Sequence, residues 1–198
     1  MEPSEEKLKA QLDAEKFIAY QRYMAEYGNK AQQMGLHCNI HPTAVIYPGV
    51  TIGQGVYIGP HCIIGAPPEN LKTWPGGGKG VIIGDGAILT GGATVDAGVE
   101  RPTVIGAECF IMKRVHIGHD CNIGEKCIIA PGTVLGGYVT LGEGCYLGMN
   151  VTIRNRKQIP DNVEIGMAST VTRSCEMWPG GVFIGTPISF LRWKEEGE

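Results

Sequence analysis

The sequence has few of the large residues that fill an ordinary globular core, and no strong charge of either sign. Of its 198 residues only 4 are Phe and 3 are Trp. The 17 Lys and Arg residues and the 20 Asp and Glu residues give a net charge of −3. This balance predicts neither a nucleic-acid surface nor a basic membrane patch. The N-terminal MEPSEEKLKA is acidic and has no apolar run, so we expect no signal peptide, no transmembrane helix and a cytoplasmic location.

Glycine is abundant instead, with 30 residues, and the chain carries a six-residue period. From residue 105 to residue 171 every sixth position is aliphatic. These positions are Ile105, Ile111, Ile117, Ile123, Ile129, Leu135, Leu141, Leu147, Ile153, Ile159, Ile165 and Val171. A small residue follows many of them, and the residue four places on is usually small or branched. A fixed short period of this kind is the signature of a repeat fold.

The period of six excludes an α-helix and fits a β-strand. A helix with 3.6 residues per turn cannot keep every sixth side chain on one face. In a strand, residues two apart point the same way, so each hexad supplies a short strand with two inward side chains. Glycine accepts the backbone angles of the bend between strands. The sequence therefore predicts an all-β solenoid of stacked coils.

The repeat divides the chain into three parts. Residues 1–35 have apolar side chains at helical spacing and predict an N-terminal α-helical cap over the open end of the solenoid. Residues 36–176 form the solenoid, from which 66–80, rich in Gly and Pro, protrudes as a loop. A shorter irregularity falls at 98–103. Residues 177–198 are expected to be a C-terminal turn and tail.

The seven cysteines are expected to be reduced core residues rather than disulfides or metal ligands. Six occupy the inward small position of a hexad, and Cys38 does so if the register is extended backwards. The six are Cys62, Cys109, Cys121, Cys127, Cys145 and Cys175. Free cysteine packs as a small hydrophobe, and unpaired thiols are typical of a reducing compartment.

Residues 115–121 hold the strongest candidate for chemistry. In the register His116 and His119 point outward, and Asp120 directly follows His119. Histidine is the usual general base near neutral pH, and an adjacent carboxylate can orient its imidazole. The alternative is that both are ordinary exposed histidines. Cys121 points inward, which excludes it as a nucleophile.

The hexads and this segment together resemble the hexapeptide-repeat acyltransferases, whose coils form a left-handed parallel β-helix. Residues 116–124, His-Ile-Gly-His-Asp-Cys-Asn-Ile-Gly, are similar to the catalytic segment of the UDP-N-acetylglucosamine O-acyltransferases of lipid A synthesis. They are also similar to the sialic-acid and bacillosamine-pathway sugar acetyltransferases. The resemblance implies left-handed coils of three hexads, and His119 as the base that deprotonates the acceptor.

The resemblance continues on both sides of this segment. Residues 69–72 resemble the protruding loop of the lipid A enzymes, which implies that Asn70 and Lys72 contact the acceptor together with His116. Asn70 stands where that family has an acidic residue. Residues 135–139 resemble the coil whose backbone N–H polarises the thioester carbonyl, so Gly137 is the expected oxyanion donor.

The end of the chain resembles a different branch of the family. Residues 181–187, Gly-Val-Phe-Ile-Gly-Thr-Pro, are similar to the ending of amino-sugar acetyltransferases, where the last coils bind acetyl-coenzyme A. Arg154 and Asn155 replace the His-Gln pair of the lipid A enzymes, whose helical carrier-protein domain has no counterpart here. The resemblance implies that the cofactor is bound by Gly137, Tyr138, Gly166, Ala168, Gly185, Thr186 and Pro187.

The resemblance as a whole implies an acetyl-CoA-dependent acyltransferase acting on a hydroxyl or amine of a sugar or nucleotide-sugar. A homotrimer with sites between subunits is expected, without a metal, nucleic acid or membrane insertion. Two alternatives stay open: a lipid A-type enzyme that uses acyl carrier protein, and a non-catalytic β-helix assembly module. A zinc enzyme of the γ-carbonic anhydrase type needs three histidine ligands. His37, His41 and His61 lie far upstream of His116 and His119, so the sequence disfavours this type of enzyme.

Overall fold

The computed structural model describes residues 38–68, 78–172 and 175–195. In these residues the chain winds through three parallel sheets in turn, about seven coils in all. Sheet A contains β1 Asn39–Ile40, β4 Tyr57–Ile58, β7 Ile88–Leu89, β10 Phe110–Ile111, β13 Ile128–Ile129, β16 Tyr146–Leu147, β19 Glu164–Ile165, β21 Gly181–Ile184 and β22 Ser189–Trp193.

The other two sheets complete each coil. Sheet B contains β2 Val45–Ile46, β5 Ile63–Ala66, β8 Thr94–Asp96, β11 His116–Ile117, β14 Val134–Leu135, β17 Thr152–Ile153 and β20 Thr170–Val171. Sheet C contains β3 Val50–Ile52, β6 Val81–Ile83, β9 Thr103–Ile105, β12 Asn122–Ile123, β15 Thr140–Leu141 and β18 Gln158–Ile159. The predicted β-solenoid is therefore confirmed.

The register explains the hexad. Each inward aliphatic residue pairs with the one eighteen residues later, as Ile111 does with Ile129 in sheet A and Ile117 with Leu135 in sheet B. Three hexads thus make one coil, and identical positions stack. All twelve aliphatic residues from Ile105 to Val171 are at most 2% exposed, so the repeat itself is the hydrophobic core.

The cysteines line the same interior. All seven are free, and six are buried as expected. Cys175 is only half-buried. It follows β20, where the hexad would continue into sheet C, but no strand forms at residues 175–178, so the expected inward position is incompletely covered.

The C-terminal residues close one end of sheet A. Strand β21 extends the parallel sheet beyond β19, and β22 folds back antiparallel to it. Trp178, Phe183, Phe190 and Trp193 form an aromatic cluster with ring centroids 5.0–6.3 Å apart. The stretch predicted as turn and tail thus contains a hairpin in residues 181–193.

Two expectations lie outside the described residues: the N-terminal helical cap at 1–35, and most of the protruding loop, 69–77. Only the two ends of that loop, up to residue 68 and from residue 78, are described. In the described part of the chain, no helix is long and apolar enough to cross a membrane.

The turns between sheets stack into longitudinal edges, two of which matter below. The described residues of the B–C edge, which joins sheet B to sheet C, are 47–49, 67–68, 78–80, 97–102, 118–121, 136–139 and 154–157. The A–B edge joins sheet A to sheet B through residues 41–44, 59–62, 90–93, 112–115, 130–133, 148–151 and 166–169. Both interruptions of the repeat therefore fall on the B–C edge, in consecutive coils.

Ile128 and Ile129 test the alternation of the strands. Ile129 is fully buried, whereas its neighbour Ile128 is 38% exposed. We expect Ile129→Ala to lower the free energy of unfolding by about 2–5 kcal/mol, because it leaves a cavity between coils. Ile128→Ala is the matched control and should cost less than about 1 kcal/mol. Urea unfolding measures both, and equal losses would contradict the inward ladder.

Candidate active site

His119 and Asp120 form a hydrogen-bonded pair on the B–C edge, in the turn that follows β11. His119 Nδ1 lies 2.7 Å from Asp120 Oδ2. The imidazole is 21% exposed, while the side chain of Asp120 is completely buried. One partner is thus open to a substrate and the other is shielded from water.

The Asp120 carboxylate is held by a row of backbone N–H groups. Val99 N–H donates to Oδ2 at 2.8 Å, and the N–H groups of Glu100 and Arg101 donate to Oδ1 at 2.8 and 2.9 Å. Successive N–H groups of this kind form an anion-binding nest. Burial raises the pKa of Asp120, but these N–H groups and the His119 contact outweigh it, so the pKa lies below its ordinary value. Asp120 is therefore a carboxylate at neutral pH.

The charge of Asp120 decides which nitrogen of His119 carries the hydrogen. A carboxylate can only accept hydrogen bonds, so Nδ1 must be the donor in the 2.7 Å contact. In the neutral imidazole Nε2 is then left with a free lone pair. His119 is consequently oriented so that Nε2 can accept a proton.

Gly137 lies directly against the Nε2–Cε1 edge of this imidazole. It occupies the same turn position as His119, one coil further along the B–C edge. A Cβ at residue 137 would come within 2.6 Å of His119 Nε2 and 2.7 Å of Cε1, so only glycine leaves room for the ring. The Gly137 N–H makes no hydrogen bond to any described residue. His119 Nε2, a hydrogen-bond acceptor, and the Gly137 N–H, a donor with no partner among the described residues, therefore belong to neighbouring residues.

Two further side chains extend this arrangement along the edge. The rings of Tyr138 and His119 meet edge to face with centroids 5.1 Å apart. The Arg156 guanidinium lies 4.0 Å from the centre of the Tyr138 ring, a favourable cation–π geometry. A cleft of about 300 Å³ beside them is lined by Glu100, Arg101, Tyr138, Thr140, Arg156 and Gln158.

A second cleft on the B–C edge is cationic. It measures about 370 Å³ and is lined by Arg154, Asn155, Arg156, Lys157 and Thr172. These residues belong to the coil beyond Gly137 and to the start of the next one. Three cationic side chains at one cleft favour an anionic group such as a phosphate.

His116 occupies the outer face of sheet B, in the same coil as His119. Its Nδ1 lies 2.9 Å from Thr94 Oγ1, and its Nε2 lies 3.8 Å from Asp96 Oδ2. The side chain is 39% exposed. His116 therefore points outward as expected and is available to a ligand that lies across sheet B.

The predicted acceptor residues Asn70 and Lys72 lie outside the described residues. The end of their loop is nevertheless tied to the turn that holds Asp120. Lys79 N–H donates to the Gly98 carbonyl at 2.6 Å, and the N–H groups of Gly98 and Thr103 both donate to the Gly80 carbonyl at 3.2 Å. The two interruptions of the repeat are thus joined at their base.

The expected cofactor residues fall into two groups. Gly166, Ala168, Gly185, Thr186 and Pro187 meet on the A–B edge, where Thr186 Oγ1 donates to the Ala168 carbonyl at 3.1 Å. A Cβ at Gly166 would meet Ile184 of the C-terminal hairpin at 2.6 Å. Gly137 and Tyr138 instead lie on the B–C edge. Within one chain, sheet B separates the two groups.

Cys121 is unsuited to nucleophilic chemistry. It is fully buried, its Sγ donates to the Gly136 carbonyl at 3.2 Å, and burial raises the pKa of the thiol to about 12. Among the residues that the structure describes, no group of three or more His, Cys, Asp or Glu side chains could hold a metal ion.

The nest at 99–101, together with Thr103 and Arg156, was not predicted from the sequence. The sequence did contain a signal for the location of this support. Counting eighteen residues per coil places both interruptions of the repeat on the same edge as His119, in the coils before it. Backbone donors have no side-chain signature, so the residues that hold Asp120 could not be recognised individually.

Comparisons with known proteins identify similar sequences and similar folds. Residues 34–66 and 102–137 match the family described as bacterial transferase hexapeptide (six repeats). The chain is 29% identical over 123 residues to the acyl-[acyl-carrier-protein]–UDP-N-acetylglucosamine O-acyltransferase of Brucella ovis, covering 42% of this chain and 44% of the relative. It therefore matches less than half the length of that curated relative.

Solved structures show the same architecture. The UDP-N-acetylglucosamine acyltransferase of Bacteroides fragilis superposes with a TM-score of 0.74 at 26% identity, covering 78% of this chain and 60% of that one. PerB of Caulobacter crescentus, solved in complex with CoA and GDP-perosamine, superposes with a TM-score of 0.52 at 22% identity, covering 81% and 64%. Hexapeptide repeats are thus recognised in residues 34–66 and 102–137. The expected left-handed β-helix is thereby confirmed.

The lowered pKa of Asp120 predicts a pH dependence of stability. A carboxyl group whose pKa is lower in the folded than in the unfolded state stabilises the fold at pH values above its unfolded-state pKa, ordinarily 3.8. That stabilisation is lost as the pH falls through the folded-state pKa. We expect the unfolding free energies of wild type and Asp120→Asn to differ most well above pH 3.8 and to converge below it, as measured by urea unfolding.

Asp85→Asn is the control for this titration. Asp85 also accepts a backbone N–H, from Gln54 at 2.7 Å, but it has no nest of three donors. Its substitution should produce a smaller change with pH. A difference between wild type and Asp120→Asn that is constant across the pH range would show that the nest does not hold a carboxylate.

Proposed function

We propose that the protein is an acyltransferase that moves an acyl group from a thioester donor to a hydroxyl or amine of a sugar or nucleotide-sugar. One arrangement carries the proposal. The His119 imidazole, fixed at Nδ1 by an ionised and buried Asp120, presents Nε2 next to Gly137, whose N–H is unpaired among described residues. General base and oxyanion donor are the two groups that acyl transfer from a thioester requires.

The proposed reaction is a single displacement through a tetrahedral intermediate. The acceptor O–H or N–H gives its proton to His119 Nε2 as the acceptor atom bonds to the thioester carbonyl carbon. The Gly137 N–H stabilises the oxygen anion that forms. When the intermediate collapses, the C–S bond breaks and the proton on Nε2 passes to the leaving thiolate. The Asp120 carboxylate stabilises the transient imidazolium.

The acceptor proposal rests on the relatives. The Brucella and Bacteroides proteins carry names that specify UDP-N-acetylglucosamine as their acceptor, and this chain is 29% and 26% identical to them over the matched parts. We assign acceptor binding to His116 on sheet B and to Asn70 and Lys72 in the loop. The hydrogen bonds between the described end of the loop, at residues 79–80, and the turn that holds Asp120 support this assignment.

Acetyl-CoA is the proposed donor. The turn at 185–187 resembles the coenzyme-binding ending of amino-sugar acetyltransferases, and the cationic cleft at Arg154, Arg156 and Lys157 suits the phosphates of coenzyme A. Acyl carrier protein is the second candidate donor, because the Brucella relative is named for it. The phosphate of a carrier-bound pantetheine would suit the same cations.

A homotrimer would reunite the two groups of donor-binding residues. They lie on opposite borders of sheet B, at the A–B edge and the B–C edge. In a closed ring each subunit presents one edge to the other edge of its neighbour. The proposed site is then completed between subunits. The free thiols suit a reducing compartment such as the cytoplasm.

A transfer assay with His119→Ala tests the proposal. Wild-type protein is incubated with acetyl-CoA or with acyl carrier protein bearing a longer chain, and with UDP-N-acetylglucosamine or UDP-linked amino-sugars as acceptors. We expect acetyl transfer by the wild type, and a loss of about 10²–10⁴-fold in His119→Ala because the general base is removed. His41→Ala, which removes a half-buried histidine on the A–B edge that contacts Thr43, is the control and should retain activity.

The other outcomes discriminate among the alternatives. Transfer only from the loaded carrier protein would show that acyl carrier protein, and not acetyl-CoA, supplies the acyl group. Full activity in His119→Ala would contradict the assignment of the base. Absence of transfer with every donor and acceptor, in a correctly folded protein, would favour a non-catalytic assembly module.

Gly137→Ala tests the other half of the site. The new methyl group would lie 2.6 Å from His119 Nε2, so the ring must leave its present position. We expect kcat to fall on the order of 100-fold, as for a misplaced catalytic group, with little change in melting temperature. Gly91→Ala is the matched control, since Gly91 has the same turn position on the A–B edge and its Cβ would meet Pro60 no closer than 3.2 Å. Equal effects of the two substitutions would contradict the role of Gly137.

A further inference from the structure

Most turns of the solenoid make the same hydrogen bond at their left-handed residue. Tyr138 and Arg156, both with φ of 62°, show it on the B–C edge. Tyr138 N–H donates to the His119 carbonyl at 2.8 Å, and Arg156 N–H donates to the Gly137 carbonyl at 2.9 Å. In each case the acceptor is a backbone carbonyl of the turn one coil below.

Asp120 departs from this pattern. It has the same left-handed backbone, with φ of 60°, but its N–H donates to the side chain of Thr103, with Oγ1 at 2.9 Å. The turn one coil below is the enlarged turn 97–102, and Thr103 follows it at the start of β9. Thr103 is fully buried. Its hydroxyl thus replaces the backbone carbonyl that a regular turn would supply.

The backbone carbonyl of Asp120 is also held by this segment. Arg101 donates to it from Nε at 3.1 Å and from Nη2 at 3.0 Å. Together with the nest at Val99, Glu100 and Arg101, the segment binds the N–H, the carbonyl and the carboxylate of Asp120. No part of that residue is free to shift without breaking a hydrogen bond.

The shape of the segment is fixed in turn by Gly98. A Cβ there would lie 1.6 Å from the Arg101 carbonyl oxygen, so only glycine allows the turn to close. Gly98 and Thr103 are both bonded to the Gly80 carbonyl. The conformation of the segment is therefore fixed by its own hydrogen bonds and by the glycine at residue 98.

We propose that residues 98–103 are the positioning element of the catalytic pair, with Thr103 and Arg101 as positioning residues that act through Asp120 on His119. The proposal rests on the proposed function, since it assigns the support of the same base. Thr103 and Arg101 fix the two peptide groups of Asp120, and thereby the direction in which its carboxylate meets His119 Nδ1. Loss of either support lets the carboxylate move away and frees the imidazole to turn or change tautomer.

Thr103→Val removes one support with almost no change of shape. We expect kcat to fall on the order of tenfold, since small misplacements of catalytic groups slow the reaction strongly, with the acceptor KM within about twofold of wild type. Arg101→Ala should act in the same direction. Thr103→Ser keeps the hydroxyl and should restore most of the rate.

Thr133→Val is the matched control. Thr133 is also fully buried, and its hydroxyl donates to the Gly148 carbonyl at 2.9 Å and accepts from Val151 N–H at 3.3 Å. It lies on the A–B edge, away from the pair. It should lose stability comparably to Thr103→Val but keep its kcat.

Nitrogen-15 NMR of the His119 side chain in the substrate-free protein provides a readout independent of transfer. The wild type should show the tautomer with hydrogen on Nδ1, and Thr103→Val and Arg101→Ala should raise the population with hydrogen on Nε2. If the wild type fails to transfer but the tautomer shifts, the proposed function fails and the positioning element stands. Unchanged His119 signals in Thr103→Val and Arg101→Ala, or an equal shift in Thr133→Val, would overturn the positioning role of residues 98–103.

Discussion

The eighteen-residue coil is the constraint on which the whole molecule depends. Each inward aliphatic side chain rests on its counterpart in the next coil, as Ile123 pairs with Leu141, and this stacking buries the core without large aromatic residues. Because the coil length is fixed, a residue's place on the surface follows from its number. Side chains eighteen positions apart become neighbours on one edge, as His119 and Gly137 do.

That constraint also explains why the departures from the repeat are informative. Extra residues cannot enter a coil without displacing the ladder, so they must leave at a turn. Both insertions leave at the B–C edge, and the coil above them carries His119 and Asp120. The enlarged turn at 97–102 removes a regular backbone partner and replaces it with Thr103, Arg101 and a nest of N–H groups. The irregular part of the solenoid thus supplies the buried, ionised carboxylate that a regular turn does not provide.

Much of this could be predicted from sequence, for identifiable reasons. The strands follow from the period of six, and the outward direction of His119 follows from its place in the hexad. Contact between His119 and Asp120 was expected because they are adjacent. The nest at Val99, Glu100 and Arg101 was not, because its donors are backbone groups that any residue could provide. The half-buried state of Cys175 was also missed, since a hexad pattern does not reveal where the last strand fails to form.

The proposed function requires acyl transfer on the B–C edge, between His119 Nε2 and the Gly137 N–H. A crystal structure of the protein with an unreactive acyl-CoA analogue and a nucleotide-sugar tests it most directly. We expect the carbonyl oxygen of the analogue to lie about 3 Å from Gly137 N, a hydrogen-bonding distance, with the acceptor hydroxyl or amine next to His119 Nε2. A carbonyl bound away from the B–C edge, with no acceptor atom within reach of His119, would contradict it.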